Sequence, residues 1–146
     1  MKTRIKWTAI NAVLPIMLMF LFSACAEKVT FLNSSVVPAA EGTVSIKQDK
    51  NNNYNIDLEV IRLADPGRLS PPRAMYVVWM ETSASGAQNI GQLETSSKGL
   101  SKMLTSSLQT VSSHKPTGFF ITAEDDATGN YPGTTVVLKT AAITIK

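Results

Sequence analysis

Cysteine is almost missing from this sequence: Cys25 is the only one in 146 residues. A single thiol excludes an internal disulfide, so the fold must rest on the burial of apolar side chains. Histidine is equally scarce, with His114 alone in the polar run Ser112-Ser113-His114-Lys115. Zinc requires four ligands, or three and an open position, and one Cys with one His cannot supply them. Nucleophilic catalysis requires a base beside the nucleophile. No serine sits in a Gly-x-Ser-x-Gly elbow, and His114 reads as a solvated loop residue. Phosphate-cradling glycine loops are also lacking, and nothing calls for a cofactor. Charge of one sign is missing too. The formal excess of +3 comes from Lys2, Arg4 and Lys6, and the remainder holds 11 basic against 11 acidic residues. Such a balance leaves no electrostatic footprint for nucleic acid.

A long uninterrupted apolar run is absent as well. The stretch from Trp7 to Ala26 approaches the ~20 residues of a spanning helix only by including Thr8, Asn11, Pro15 and Ser23. No stop-transfer cluster follows, since Glu27 and Lys28 cancel. A cationic start (residues 1–6), a short apolar centre strongest from Ala12 to Phe22, and small residues at its end form instead the three parts of a secretory signal. The end, Leu21-Phe22-Ser23-Ala24-Cys25, resembles the lipobox of bacterial lipoproteins. That resemblance implies cleavage before Cys25 and diacylation of its sulfur, which would also consume an otherwise reactive exposed thiol. The expected partner of the N-terminus is then a membrane, held through lipid. One acyl chain holds only marginally and several hold firmly. By the same resemblance, Ala26 after the cysteine implies sorting to the outer membrane.

Residues 1–24 are therefore expected to be a signal peptide, 25–40 a tether or linker, and 41–146 the folded domain. Within the tether, Val29, Phe31 and Leu32 suit either a first strand or a packed linker, and Pro38-Ala39-Ala40 reads as the linker's end.

From Gly42 onward the signals are β. Thr43-Val44-Ser45-Ile46-Lys47 and Tyr54-Asn55-Ile56-Asp57-Leu58-Glu59-Val60 alternate with period two. Asp49 to Asn53 between them is turn chemistry, because Asn tolerates the left-handed conformation, so the pair predicts a hairpin. Prolines bracket a loop from Asp65 to Pro72 that cannot lie inside a sheet. Met75 to Met80 is apolar on both faces and predicts a central strand covered on both sides. Asn89 to Leu93 should pair with it across the Ser83-Ala84-Ser85-Gly86 turn. The stretch from Gly99 to Val111 fits a helical stripe or one face of a strand through Leu100, Leu104 and Leu108. Its Ser and Thr residues are poor helix formers, which favours the strand. Phe119 to Ala123 and Thr134 to Leu138 follow, with Ala142 to Ile145 ending the last strand. About seven strands in about a hundred residues predict an all-β, antiparallel sandwich of immunoglobulin-like size.

Four pieces in order, Tyr76-Val77-Val78-Trp79, Ile90-Gly91-Gln92-Leu93, Ile121-Thr122-Ala123-Glu124 and Tyr131-Pro132-Gly133-Thr134, resemble the extracytoplasmic domain of the anti-sigma-K factor family. The resemblance implies a β-sandwich outside the cytoplasm. It is not expected to carry sigma-factor inhibition with it, because the six residues before Trp7 hold no counterpart of that family's cytoplasmic binding segment.

Few residues remain as site candidates. Glu124, Asp125 and Asp126, with Asn130 nearby, could hold calcium, which accepts about six to eight oxygens; the alternative is a hydrated acidic turn. Trp79 is either a core filler or a sugar-stacking ring. Arg62, Arg68 and Arg73 flank the proline loop and would be solvated or meet an anionic surface. The expected function is a non-enzymatic envelope module that contacts another protein or the cell wall. Its rivals are a sensor linked to an anti-sigma system, and a glycan binder or weak hydrolase using Trp79, Tyr131 and the acidic turn.

Overall fold

The structure is a computed structural model describing residues 26–97 and 104–145. The expected signal peptide (residues 1–24), Cys25 and Leu100 lie outside those residues.

Nine strands are present among the described residues: β1 (Glu27–Thr30), β2 (Glu41–Gln48), β3 (Tyr54–Ile61), β4 (Met75–Thr82), β5 (Gly86–Gln92), β6 (Glu94–Ser97), β7 (Leu104–Ser112), β8 (Pro116–Glu124) and β9 (Val136–Lys139). They form a five-stranded sheet, β1-β2-β3-β7-β6, and a four-stranded sheet, β5-β4-β8-β9, with every pairing antiparallel. The all-β sandwich expected from the alternation is what forms. Leaving out β1, the order β2-β3-β7-β6 against β5-β4-β8-β9 is the ABED and C′CFG order of an immunoglobulin domain.

Alternation puts Val44, Ile46, Tyr54, Ile56, Leu58 and Val60 inside from the larger sheet. Tyr76, Val78 and Met80 of β4, with Phe119, Ile121 and Ala123 of β8, meet them from the smaller one. In the β2–β3 hairpin Asn52 adopts φ +64, the left-handed conformation for which Asn is suited. Asp49 closes that turn by accepting hydrogen bonds from the amides of Asn51 (2.7 Å) and Asn53 (2.9 Å). The Asn53 amide first holds the Asp49 carboxyl below its ordinary value, against the opposing effect of burial, with the Asn51 amide and the Asn53 side chain adding to it.

Three expectations change, and one open reading closes as the strand that was favoured. Two strands exceed the expected seven, β1 and β6, because four-residue edge pieces carry too little periodicity to stand out. The division at residue 40 does not match the packing. β1 pairs with β2, Glu27 opposite Ile46 and Thr30 opposite Thr43, and Ser34, Val37 and Ala40 are buried. Ser34 anchors this stretch by donating its hydroxyl to the Val137 carbonyl and accepting from the amides of Val36 and Val37. Leu32 N–H donates to the Lys139 carbonyl, and Phe31 bridges to Thr140, so the segment laces one edge of the sandwich shut. The ambiguous stretch is strand β7, with Leu108 opposite Leu58. Finally, residues 141–145 form no strand; Ile143 is buried and its amide donates to Thr117 O.

Candidate functional site: a clasped loop over the four-stranded sheet

β4 is flanked by β5 and β8 and buried on both faces. Its even positions face the inter-sheet core. Val77 and Trp79 point the other way and form a second cluster with Phe120, where one would expect solvent. Trp79 is 1 % exposed. Its ring lies nearly parallel to that of Phe120, centroids 6.2 Å apart, and Met75, Ala87 and Ala127 pack around the pair. Lys139 sits over the Phe120 ring at 5.5 Å while pairing with Glu81 at 2.8 Å. Trp79 is thus the core filler of the two expectations, and a sugar-stacking role for it is overturned by its burial.

The cover is the loop of residues 125–135. Buried indole nitrogens require a partner, and Trp79 Nε1–H donates to Thr122 Oγ1 at 2.7 Å. Thr122 donates its own proton to Glu124 Oε1 at 2.6 Å. The same carboxylate oxygen accepts the Gly133 amide at 2.7 Å. At the other end of the loop, the Asn89 side-chain amide donates to the carbonyls of Ala127 (2.8 Å) and Gly129 (3.1 Å). Arg73 Nη1 pairs with Asp125 at 2.6 Å, joining the proline loop to this one.

Three of the four pieces that carried the family resemblance meet in this network, through Trp79, Thr122 with Glu124, and Gly133. The fourth supplies Gly91, whose φ of +134 falls where the β4–β5 register shifts beside Trp79. A bulge of that kind suits glycine, and Leu108 closes off the space for a side chain. Each piece therefore has a packing or turn function in this fold.

The acidic turn is not brought together as a cation cage. Glu124 serves Thr122 and Gly133, and Asp125 pairs with Arg73. Asp126 accepts from the amide and hydroxyl of Thr128 at 2.8 Å each. The Thr128 amide first, then its hydroxyl, hold the Asp126 carboxyl below its ordinary value. Asn130 is exposed. Among the described residues no group of three or more His, Cys, Asp or Glu converges to hold a metal ion.

The arginines divide likewise. Arg62 pairs with Glu41 at 2.7 Å and Arg73 with Asp125, while Arg68 is exposed at the end of a short 3-10 turn, Pro66–Arg68. His114 lies in an exposed turn, its amide donating to Ser112 Oγ at 3.0 Å and its Nδ1 3.4 Å from Ser113 Oγ. These contacts shape the turn.

What the clasp displays is Tyr131, 88 % exposed between the loop's fixed points. An amphipathic ring on a pinned loop suits contact with a partner. Nearby in the fold, the sheets part into a cleft of about 740 Å³ lined by Asp65, Met75, Tyr76, Gln92, Glu94 and Leu108. Tyr76 donates its hydroxyl to Ala64 O at 2.9 Å. Burial, with a smaller contribution from the Asp65 charge, pushes its phenol up to about 12. Sequence reading missed this cleft because its lining comes from β4, β5, β6, β7 and the loops beside them. Set against known proteins, the chain matches no family model, no curated protein and no solved structure.

Proposed function

We propose that this protein is a lipid-anchored module of the bacterial cell envelope, bound to the membrane through Cys25 and sorted to the outer membrane. It holds an envelope protein or a cell-wall component without transforming it. The anchoring half of the reading comes from the leader and its lipobox. The binding half is carried by one observation: Tyr131 stands 88 % exposed on a loop fixed through Glu124, Asn89 and Arg73. Ordering a mobile loop on binding costs entropy, and a loop already pinned avoids that cost.

A photo-crosslinking residue at Tyr131, introduced into the full-length protein in intact cells, tests the binding half. The expected result is one dominant adduct that is lost when the residue is moved to an exposed position of the larger sheet, such as Asn55. Equal, diffuse labelling at both positions would refute it. Mass spectrometry of the mature N-terminus tests the anchor: acylated Cys25 is expected, and a polypeptide starting at Met1 with a free thiol would refute it.

A further inference from the structure

Resting on the Cys25 anchor, the structure points to a fixed orientation at the bilayer, and we infer that one end of the sandwich lies against anionic lipid headgroups. The reason is the shortness of the junction. Consecutive Cα atoms are about 3.8 Å apart, and only Ala26 separates Cys25 from β1. β1 is paired along β2 from Glu27 onward, so no slack remains between the anchor and the sheet.

β1 also fixes which end is held. Glu27 pairs with Ile46, near the end of β2 that leads into the hairpin turn. Ala26 borders a recess with Ser45, Lys47, Asn55 and Val111. Register carries the same end across both sheets. Tyr54 of β3 lies opposite Ser112 of β7, and Thr82 of β4 lies opposite Pro116 of β8. The turns at residues 49–53, 83–85 and 113–115 therefore share the end from which the anchor leaves.

The chemistry of that end suits a bilayer surface. Lys47, Lys50 and Lys115 are exposed there, facing one acid in the same turns, Asp49, whose carboxylate is bonded into its own turn. Glu27 and Lys28 offset each other. Val111, 60 % exposed, adds an apolar contact beside the lysines. Basic side chains close to an anionic leaflet are attracted to it within a Debye length. The proline loop and the Tyr131 loop lie at the opposite end, about 25 Å away across an eight-residue strand such as β3. They face outward, where a partner can reach them.

The test uses the full-length, processed protein in vesicles of phosphatidylcholine with phosphatidylglycerol, after mass spectrometry of Cys25. Bimane is attached at Ala84→Cys, in the anchored end, and at Asn130→Cys, in the opposite one; spin-labelled lipid is the quencher. Loss of fluorescence at Ala84→Cys with retention at Asn130→Cys is expected. Equal or stronger quenching at Asn130→Cys on an acylated protein would overturn the orientation while leaving the anchor intact. An unacylated Cys25 would overturn the anchor itself. Reversing Lys47, Lys50 and Lys115 to Glu should relieve the Ala84→Cys quenching in anionic vesicles and not in pure phosphatidylcholine. Unchanged quenching in both would overturn the headgroup contact.

Discussion

Thr122→Val removes one hydroxyl from the centre of the clasp and keeps the side chain's shape. Two hydrogen bonds disappear together: the one accepted from Trp79 Nε1 at 2.7 Å and the one donated to Glu124 at 2.6 Å. Trp79 is 1 % exposed and Thr122 is fully buried, so the indole N–H is left without water. A buried orphan donor costs about 1–3 kcal/mol, and a bond to a charged acceptor contributes about 1.5–3 kcal/mol. Glu124 is partly exposed and recovers some of its share from solvent. The expected loss is therefore about 3 kcal/mol, near 10 °C in melting temperature for a domain of this size. The assay is denaturant unfolding of residues 26–146, followed by fluorescence. Residues 26–146 exclude Trp7, so Trp79 is the single tryptophan reporter. The midpoint should fall with the slope unchanged, and Thr122→Ser, which keeps the hydroxyl, should lose far less. A loss under about 0.5 kcal/mol, the scale of a neutral surface change, would refute the clasp as a stabilising network.

Other outcomes are equally specific. Tyr131→Ala should leave stability within about 0.5 kcal/mol of the parent while removing the crosslinked partner; unfolding of the variant would contradict the ring's exposure. Gly91→Ala should destabilise by about 1–3 kcal/mol, because its φ of +134 suits glycine and a Cβ would lie 3.0 Å from Leu108. A melting curve identical to the parent's would contradict that geometry. Tyr76 supplies a pH signature. Its phenol is raised to about 12 in the folded state, so its contribution is complete below about pH 10. That contribution fades as the unfolded phenol ionises, and is gone once pH passes the folded value. Spectrophotometric titration should show one late-ionising tyrosine, absent in Tyr76→Phe. For Asp49 the sign reverses. Its folded pKa lies below 3.8, so the hairpin's advantage over Asp49→Ala is present above that value and lost as pH falls through the folded one. Equal stability of the two proteins at neutral pH would refute this.

Much of the fold was legible locally. Tyr54 to Val60 alternates without interruption, and its register against β2 follows because a one-residue slip would expose every apolar side chain. Met75 to Met80 announced a doubly covered strand through six consecutive apolar residues. The left-handed Asn52 was implied by the asparagine-rich turn. β1 and β6 were obscure for the opposite reason: four residues at a sheet edge need satisfy no hydrophobic period. The role of residues 31–40 was hidden as well, because Ser34 looks like any loop serine until Val137, far along the chain, comes beside it.

The candidate site divides along the same line. Sequence alone determined the identity of the groups: one cysteine after an apolar run, one histidine without companions, an acidic turn, a tyrosine between turn residues. Nearest-neighbour chemistry suffices for such statements, since they depend on composition and on contacts within a few residues. Only tertiary structure decided what those groups do. Glu124 was drawn to the Gly133 amide and Asp125 to Arg73, and Trp79 was turned to the outer face and roofed by a loop. β1 was stitched onto the sheet, deciding between the first strand and the packed linker that the sequence left open. These outcomes depend on pairings across as many as about a hundred residues, and the burial that drives them exists only once both sheets have closed on each other.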